Sequence, residues 1–415
     1  MPTTAATLPS AGVASPSAPA ASTHPGILPG TREYRNTILA LFLVGFASFS
    51  LIYCVQPLLP EFARDFRVSP AQSSLALSLT TGLLALSIFA AGAYSQGVSR
   101  RALMCTSTLL GAACNIAAAL APNWHTMLAA RALEGVVLGG VPAVAMAYLG
   151  EEMAPGHLGK AMGFYVAGTA LGAMMGRVGM GLLTEFDSWR GAMGILGALG
   201  LLATAGFVWL LPPSRHFTPK PGFDLSFHLA AWGQHLRNPK LLRLFGGGFT
   251  LTSVFVTLFN YASFRLSQPP YGLGQTACAM IFLTYAFGVF SSSAAGSLAD
   301  KMGRRPVILM GFLLMLAGLA LTLFSSLFIL ITGIALVTAG YFIAHSVVSG
   351  SIGPLAGLTK GHASSLYLLF YYMGSSITGS VGGWFWQHGG WPGVCALTGA
   401  MGLLGLILTR VRTED

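Results

Sequence analysis

Charge is scarce in this chain. Asp, Glu, Lys and Arg together make up 8% of its 415 residues while 54% are hydrophobic, against about 25% charged in soluble domains. A water-soluble fold is excluded, since too few polar side chains remain to cover a core. Cysteine is also sparse. Cys54, Cys105, Cys114, Cys278 and Cys395 include no CxxC pair, so they read as small buried hydrophobes and neither a disulfide framework nor a zinc site is expected. No GxxxxGKS/T segment is present to cradle a nucleotide phosphate, so energy for uphill work would have to come from an ion gradient or a second solute. The alternating pattern of a membrane barrel is missing too. Histidines lie mostly in polar segments and carboxylates are nearly absent from the apolar runs, so a membrane-embedded enzyme would lack a catalytic cluster; no metal and no cofactor is expected.

What the chain does have is long apolar runs. A helix needs about 20 apolar residues to cross a bilayer, and lipid offers backbone polar groups no partner outside a helix or a closed barrel. Spans are therefore predicted at 36–59, 72–94, 103–121, 126–149, 160–183 and 190–211, then at 243–264, 275–298, 306–324, 327–350, 362–386 and 392–410. The division is 1–35 as a disordered tail, 36–211 and 243–415 as two six-helix bundles, and 212–242 as the linker between them. The first 30 residues are rich in Ala, Pro, Ser and Thr and contain no Asp, Glu, Lys or Arg, which suits disorder. In the linker Leu225, Leu229, Trp232 and Leu236 recur at helical spacing; a membrane-surface helix and a plain exposed loop are both open readings.

Basic residues then set the orientation. An even number of spans puts both termini on one side, and of the 22 Lys and Arg, 16 fall on that side, four (Arg64, Arg67, Arg190, Arg265) on the other, and Arg131 and Arg177 inside spans. The positive-inside rule makes the terminal side cytoplasmic. The net charge of +10 is thus mostly topology, spread over short loops, and not the single basic face of a nucleic-acid-binding protein.

The chain also repeats itself. Gly-Ser-Leu-Ala-Asp-Lys-Met-Gly-Arg-Arg from Gly296 to Arg305 has a degraded copy, Gly-Ala-Tyr-Ser-Gln-Gly-Val-Ser-Arg-Arg, from Gly92 to Arg101, 204 residues earlier, and Trp189 and Trp391 close similar Gly-rich segments 202 residues apart. Duplicated apolar halves of this kind imply a small-molecule site between two moving bundles. Gly296, Leu298, Ala299, Asp300, Gly303, Arg304 and Arg305 resemble the cytoplasmic-loop signature of the major facilitator superfamily, and the resemblance covers residues 32–412. It implies an all-α membrane protein with twelve transmembrane helices in two pseudo-symmetric bundles, acting as a monomer. Tyr53, Gln56, Pro57 and Pro60 at the end of span one, Phe259-Asn260-Tyr261 in span seven and Ala344-His345-Ser346 in span ten are similar to the YnfM-type bacterial inner-membrane transporters, near the proton-coupled drug and sugar efflux proteins. Efflux of a small organic molecule against protons is the leading expectation. Proton-coupled uptake of an organic anion or sugar-like solute is the alternative.

Particular residues carry roles in that reading. Glycine at 296 and 303 permits close helix approach and a tight turn, and Arg304 and Arg305 suit an anionic membrane surface. The resemblance implies that Asp300 docks on the positive N-terminal end of span five, near Gly159 to Met162. In the copy bearing Gly92, Arg100 and Arg101, Gln96 replaces the acid, so the matching lock should be weak. Arg131 and Glu134 are three apart on one helix face, and with Gly135 they resemble the superfamily's span-four pattern implicated in proton coupling. Glu134 is the first proton candidate, with a permanent ion pair as the other reading; His345 is the second candidate. Gly168, Gly172 and Gly176 favour backbone-to-backbone packing. Arg177 follows directly, either to attract an anionic substrate or to pair with Glu134. Tyr53, Gln56, Asn260, Tyr261, Tyr285 and Tyr371 complete an expected substrate cavity.

Overall fold

The computed structural model describes residues 26–94, 97–154, 157–214 and 224–410; Gln96, residues 1–25 of the expected tail and 215–223 of the linker lie outside the described residues. Span one is α1 (Arg32–Tyr53), a 3-10 turn (Gln56–Leu58) and α2 (Leu59–Asp65) in succession. Pro57 and Pro60 cause the change of helix type, because neither can donate to the turn before it. Spans two and three are α3 (Pro70–Tyr94) and α4 (Arg100–Ala119). Span four is α5 (Trp124–Leu138) and α6 (Gly140–Glu152), joined at Gly139, and spans five and six are α7 (Leu158–Phe186) and α8 (Trp189–Leu210). The linker forms α9 (Leu225–Arg237).

Span seven is α10 (Pro239–Ser267), and span eight is α11 (Gln275–Ala279), a 3-10 turn (Met280–Thr284) and α12 (Tyr285–Met302). Then follow α13 (Arg304–Leu321), α14 (Leu327–Leu355) and α15 (Lys360–Arg410), the last broken at Gly390 (φ 54°, ψ −147°) into two spans. Twelve apolar spans result, and each expected span falls on one of them.

Glycine sets the tightest packing. A Cβ on Gly168, Gly172 or Gly176 would stand 2.6, 2.2 and 2.6 Å from Phe42 O, Phe46 O and Ser50 Cα of α1. The α7 backbone thus lies directly on α1, and Ser50 Oγ donates to Gly172 O at 2.9 Å. Gly303 has φ +87°, the conformation that lets α12 turn sharply into α13. Gly296, expected to admit a neighbouring helix, instead faces open space with no atom within 4 Å of a Cβ.

The repeat reappears as geometry. Arg101 Nη2 donates to Val208 O at 2.5 Å, and Arg305, 204 residues later, donates from Nε to Thr409 O at 3.1 Å and from Nη2 to Arg410 O. Each arginine closes the carbonyl end of the last helix in its own half, where a cation suits the helix dipole. Likewise Arg190 donates to Ala119 O and Ala121 O with its guanidinium over Trp189, while Arg265 donates to Thr322 O and Phe324 O over Trp391.

The linker is a helix, and of the four residues at helical spacing only Trp232 packs on the protein. Leu225, Leu229 and Leu236 are exposed, and α9 buries His228, Ala231, Trp232 and His235. Trp232 stacks on Phe89 of α3 with ring centroids 4.1 Å apart and its Nε1 reaches Ser365 Oγ of α15 at 3.3 Å. His228 Nδ1 meets His362 Nε2 at 2.8 Å, and His235 Nε2 meets Thr359 Oγ1 at 2.8 Å. One short helix therefore ties α3 to α15.

Candidate functional site

Charge inside the membrane gathers at two places. The first is built on α5. Arg131 and Glu134 are both fully buried, and Nη1 donates to Glu134 Oε2 at 2.6 Å. Arg131 also donates to Leu51 O (3.2 Å), Ile52 O (2.7 Å) and Ala76 O (3.2 Å). Leu51 and Ile52 end α1, where the switch to the 3-10 turn frees carbonyls, so Arg131 acts as a C-terminal cap supplied by another helix. Glu134 Oε1 is buried with no hydrogen-bond partner. The carboxylate therefore has room for a proton on that oxygen without breaking the contact to Arg131.

The second place is Arg177 on α7. It does not pair with Glu134. Its Nε donates to Gln56 Oε1 at 2.5 Å and its Nη1 to Ala173 O at 2.5 Å. The guanidinium carbon lies 4.1 Å from the Tyr53 ring centroid, 4.9 Å from that of Tyr285 and 5.2 Å from that of Phe282. Arg177 is 1% exposed, and among the described residues no carboxylate lies within ion-pair distance of it. Buried charges are ordinarily paired; this one is held by an amide, a carbonyl and three aromatic faces.

From Arg177 the polar contacts continue across the two halves. Gln56 Nε2 donates to Asn260 Oδ1 at 2.7 Å, and nearby Gln275 Nε2 donates to Pro57 O at 2.6 Å. Beside the same cluster an aromatic wall runs along the second half: Phe255 stacks on Tyr341 at 3.9 Å, Tyr341 on His345 at 5.5 Å, and Tyr341 Oη meets Tyr371 Oη at 2.6 Å. His345 Nδ1 meets Tyr367 Oη at 2.8 Å. Between α7 and α12, on the terminal side of Arg177, lies a cavity of about 190 Å³ lined by Leu171, Met174, Tyr285, Phe290 and Phe342 among others.

The structure thus joins Tyr53, Gln56, Arg177, Asn260 and Tyr285, with Tyr371 and His345 in the adjoining wall. Tyr261 does not join them. One step along α10 turns it to a different face from Asn260, and it packs on Phe264 and Trp386 with Oη donating to Gly379 O at 2.7 Å.

At the signature loops, Arg100 is buried and bound to Glu151, Nη2 to Oε1 at 2.9 Å. Gly92 lies in the last turn of α3. Asp300, Arg304 and Gly159 are exposed; Asp300 makes no hydrogen bond or ion pair among the described residues, and nothing lies within 4 Å of a Cβ on Gly159 or Gly163. The expected docking of Asp300 on α7 is absent from this conformation among the described residues: both Asp300 and the start of α7 face open space. At the opposite end α7 and α11 touch: Thr276 Oγ1 lies 2.6 Å from Glu185 Oε2 and 2.8 Å from Gly181 O, its single proton available to either. The molecule is open between these helices at the terminal face and closed at the far one.

The profile of the Major Facilitator Superfamily matches residues 41–295 and 266–415. The chain belongs to the major facilitator superfamily. It is 44% identical over 380 residues to the MFS-type transporter YybF of Bacillus subtilis, covering 92% of this chain and 94% of that one. It is 42% identical over 383 residues to the inner membrane transport protein YnfM of Escherichia coli, covering 91% of each. Among solved structures, the nucleoside transporter NupG matches with a TM-score of 0.73 at 14% identity over 90% of this chain and 98% of that one. An inward-facing bacterial homolog of the lysosomal transporter Spinster matches with a TM-score of 0.69 at 18% identity over 92% and 95%. These two share the fold. The protein is a multi-pass bacterial inner-membrane secondary transporter of the superfamily and not an enzyme.

Within this superfamily chain, several wall residues escaped the sequence reading: Phe255, Phe282, Tyr341 and Tyr367. The signal was present, since Tyr341 and His345, and Tyr367 and Tyr371, are each four apart and so share a helix face.

Proposed function

We propose that this transporter exports a small amphiphilic organic anion in exchange for protons by alternating access. The observation that carries the substrate class is Arg177, a fully buried guanidinium among three aromatic rings with no carboxylate partner. An anionic group would supply the missing counter-charge, and an aromatic or aliphatic body would fill the neighbouring cavity lined by Met174, Tyr285, Phe290 and Phe342. Glu134 is the proton carrier in this reading: it faces Arg131 through one oxygen and has the other unpartnered. His345, hydrogen-bonded and stacked within the tyrosines, serves the wall. The excess of basic residues on the terminal side supports cytoplasmic termini; in this reading the present conformation opens inward, with the Asp300 lock released. Export is favoured for an anion because the inside-negative potential contributes about 2.3 kcal/mol per charge per 100 mV in that direction.

The test is reconstitution in liposomes with a pH-sensitive dye inside and outside, using 2-naphthoate, 2-naphthylmethanol and a naphthyl ammonium salt as probes. Naphthoate alone should move protons, opposite in direction to itself. Arg177→Gln should abolish naphthoate flux, and Glu134→Gln should abolish the proton signal. Protons moving with naphthoate would establish the uptake alternative, and equal flux of all three probes would remove the anion assignment.

A further inference from the structure

Gln56 and Asn260 are 204 residues apart, the same offset that separates the two copies of the signature. Residues related by an internal two-fold that also touch each other must lie close to its axis. The Gln56–Asn260 hydrogen bond is therefore a crossbar at the joint between the halves, on the far side of the molecule's open mouth.

Arg177 polarises that crossbar. A guanidinium only donates, so Gln56 must present Oε1 to it and turn Nε2 outward; Nε2 then requires an acceptor, and Asn260 presents Oδ1. Asn260 Nδ2 is consequently directed elsewhere, where it is buried without a partner. A Cβ on Gly379 would stand 3.0 Å from it and 3.5 Å from Ser78 Oγ, itself buried and unpartnered. The closed joint thus holds unsatisfied polar atoms that opening would hydrate. It is a latch under tension, not a permanent weld.

We propose that the Gln56 carboxamide oxygen is an internal ligand, seated where the anionic group of the substrate binds Arg177, and that the substrate opens the periplasmic side by displacing it. A carboxylate, sulfonate or phosphate oxygen outcompetes a neutral amide for a guanidinium because the hydrogen bond becomes charge-assisted on both sides. Once displaced, Gln56 no longer has Arg177 holding its amide in the orientation that reaches Asn260. Loss of that bond, and of the longer one from the same Nε2 to Val256 O at 3.4 Å, leaves the Gln56–Leu58 turn hydrogen-bonded to the second half through Gln275 and Pro57. Binding from the cytoplasm is in this way converted into release of the opposite gate, which is differential affinity for two states. The proposal rests on the anion reading above and adds to it the identity of the coupling residue.

The experiment uses the full chain in detergent with 2-naphthoate as the probe. Calorimetry measures its affinity, and spin labels at Phe186→Cys and Gly274→Cys, both exposed at the closed end, report opening by their separation. Gln56→Ala should bind naphthoate about tenfold more tightly, by loss of the internal competitor, and should show the long label distance without ligand. Asn260→Ala should show the long distance while Arg177 keeps its amide. Gln56→Glu, a near-isosteric change, ties a carboxylate to Arg177 and should abolish naphthoate binding while the protein still elutes as a folded species. If Arg177→Gln binds naphthoate as the wild type does, the anion reading itself fails. If Arg177→Gln loses binding but Gln56→Glu retains it, or Gln56→Ala weakens it, the anion reading stands and the internal-ligand proposal is overturned.

Discussion

The Arg131–Glu134 pair should respond very differently to loss of its two members. Both side chains are fully buried, with 2.6 Å between Nη1 and Oε2. Glu134→Gln keeps an acceptor for Arg131, so a hydrogen bond between two charges becomes one between a guanidinium and a neutral amide. That change costs about 1–2 kcal/mol, the difference between bonds to charged and to neutral partners. Arg131 meanwhile keeps the carbonyls of Leu51, Ile52 and Ala76. Arg131→Ala removes all four contacts, uncaps α1 and leaves a bare carboxylate in a dry interior, for which about 3–5 kcal/mol is expected. Adding Glu134→Gln to Arg131→Ala should recover part of that loss, because the uncompensated charge disappears while the orphaned carbonyls remain. Cys54 offers the assay: it is buried beside the pair, with Sγ donating to Leu51 O at 3.1 Å. A thiol-reactive dye followed during heating, with Cys105, Cys114, Cys278 and Cys395 replaced by alanine in every variant, therefore reports opening of this region. The expected order of melting temperatures is wild type, Glu134→Gln, the double variant, Arg131→Ala. Equal destabilisation by the two single changes would refute the reasoning, since it would mean that Arg131 contributes nothing beyond its bond to Glu134.

Four further outcomes follow from the same structure. Gly172→Val should destabilise by at least about 1–3 kcal/mol as an overpacked contact, because even a Cβ would stand 2.2 Å from Phe46 O; an unchanged melting curve would show that α7 can move off α1 freely. Arg177→Lys keeps the charge but loses the planar donor set that Gln56 and the rings hold, so naphthoate affinity should fall about tenfold or more, measured by calorimetry. Asp300→Asn should raise the modification rate of a cysteine placed at Gly163, an exposed position in α7, because the outward state loses its lock; an unchanged rate would remove Asp300 from gating. Trp232→Ala should speed amide exchange across Leu225–Arg237, since the stack on Phe89 and the bond to Ser365 both go.

The spans, the duplication and the two intramembrane charge sites were legible in the sequence because each depends on local composition or spacing. A run of about 20 apolar residues can satisfy its backbone in one way, and Arg131 and Glu134 meet because three residues on a helix bring them together. Partners set by tertiary packing were not legible in that manner. Arg177 selected Gln56 over Glu134, although both are polar and intramembrane, because α7 lies on α1 through its glycines. Tyr261 and Asn260 are adjacent in sequence yet face different neighbours. The face of α9 that packs carries histidines and a tryptophan, not the leucines that define its apolar period. One long-range contact was available in principle: aligning the halves at their 204-residue offset superposes Gln56 on Asn260.

The two halves share a fold but divide the chemistry. Arg131, Glu134 and Arg177 lie on α5 and α7, whereas the second half contributes rings: Phe255, Phe282, Tyr285, Tyr341, Tyr367 and Tyr371. A change of charge on Glu134, or an anion on Arg177, therefore alters one bundle while the other stays electrically neutral at the joint. Such an asymmetry makes the inter-bundle contact the natural place for the change to register. Arg131 holds the last carbonyls of α1, and the turn that follows carries Gln56, which Arg177 holds. The proposed proton site and the proposed anion site thus hold the same stretch of span one, from Leu51 to Gln56, at opposite ends of a few residues. In that reading, protonating Glu134 removes the counter-charge of the guanidinium that holds one end, and an arriving anion competes with Gln56 for the guanidinium that holds the other, so each event should change the free energy of the other through a short shared segment. Coupling of that kind is reciprocal: naphthoate affinity should differ between the protonated and the deprotonated protein by the same factor as proton affinity differs with and without naphthoate, and Glu134→Gln should remove that pH dependence.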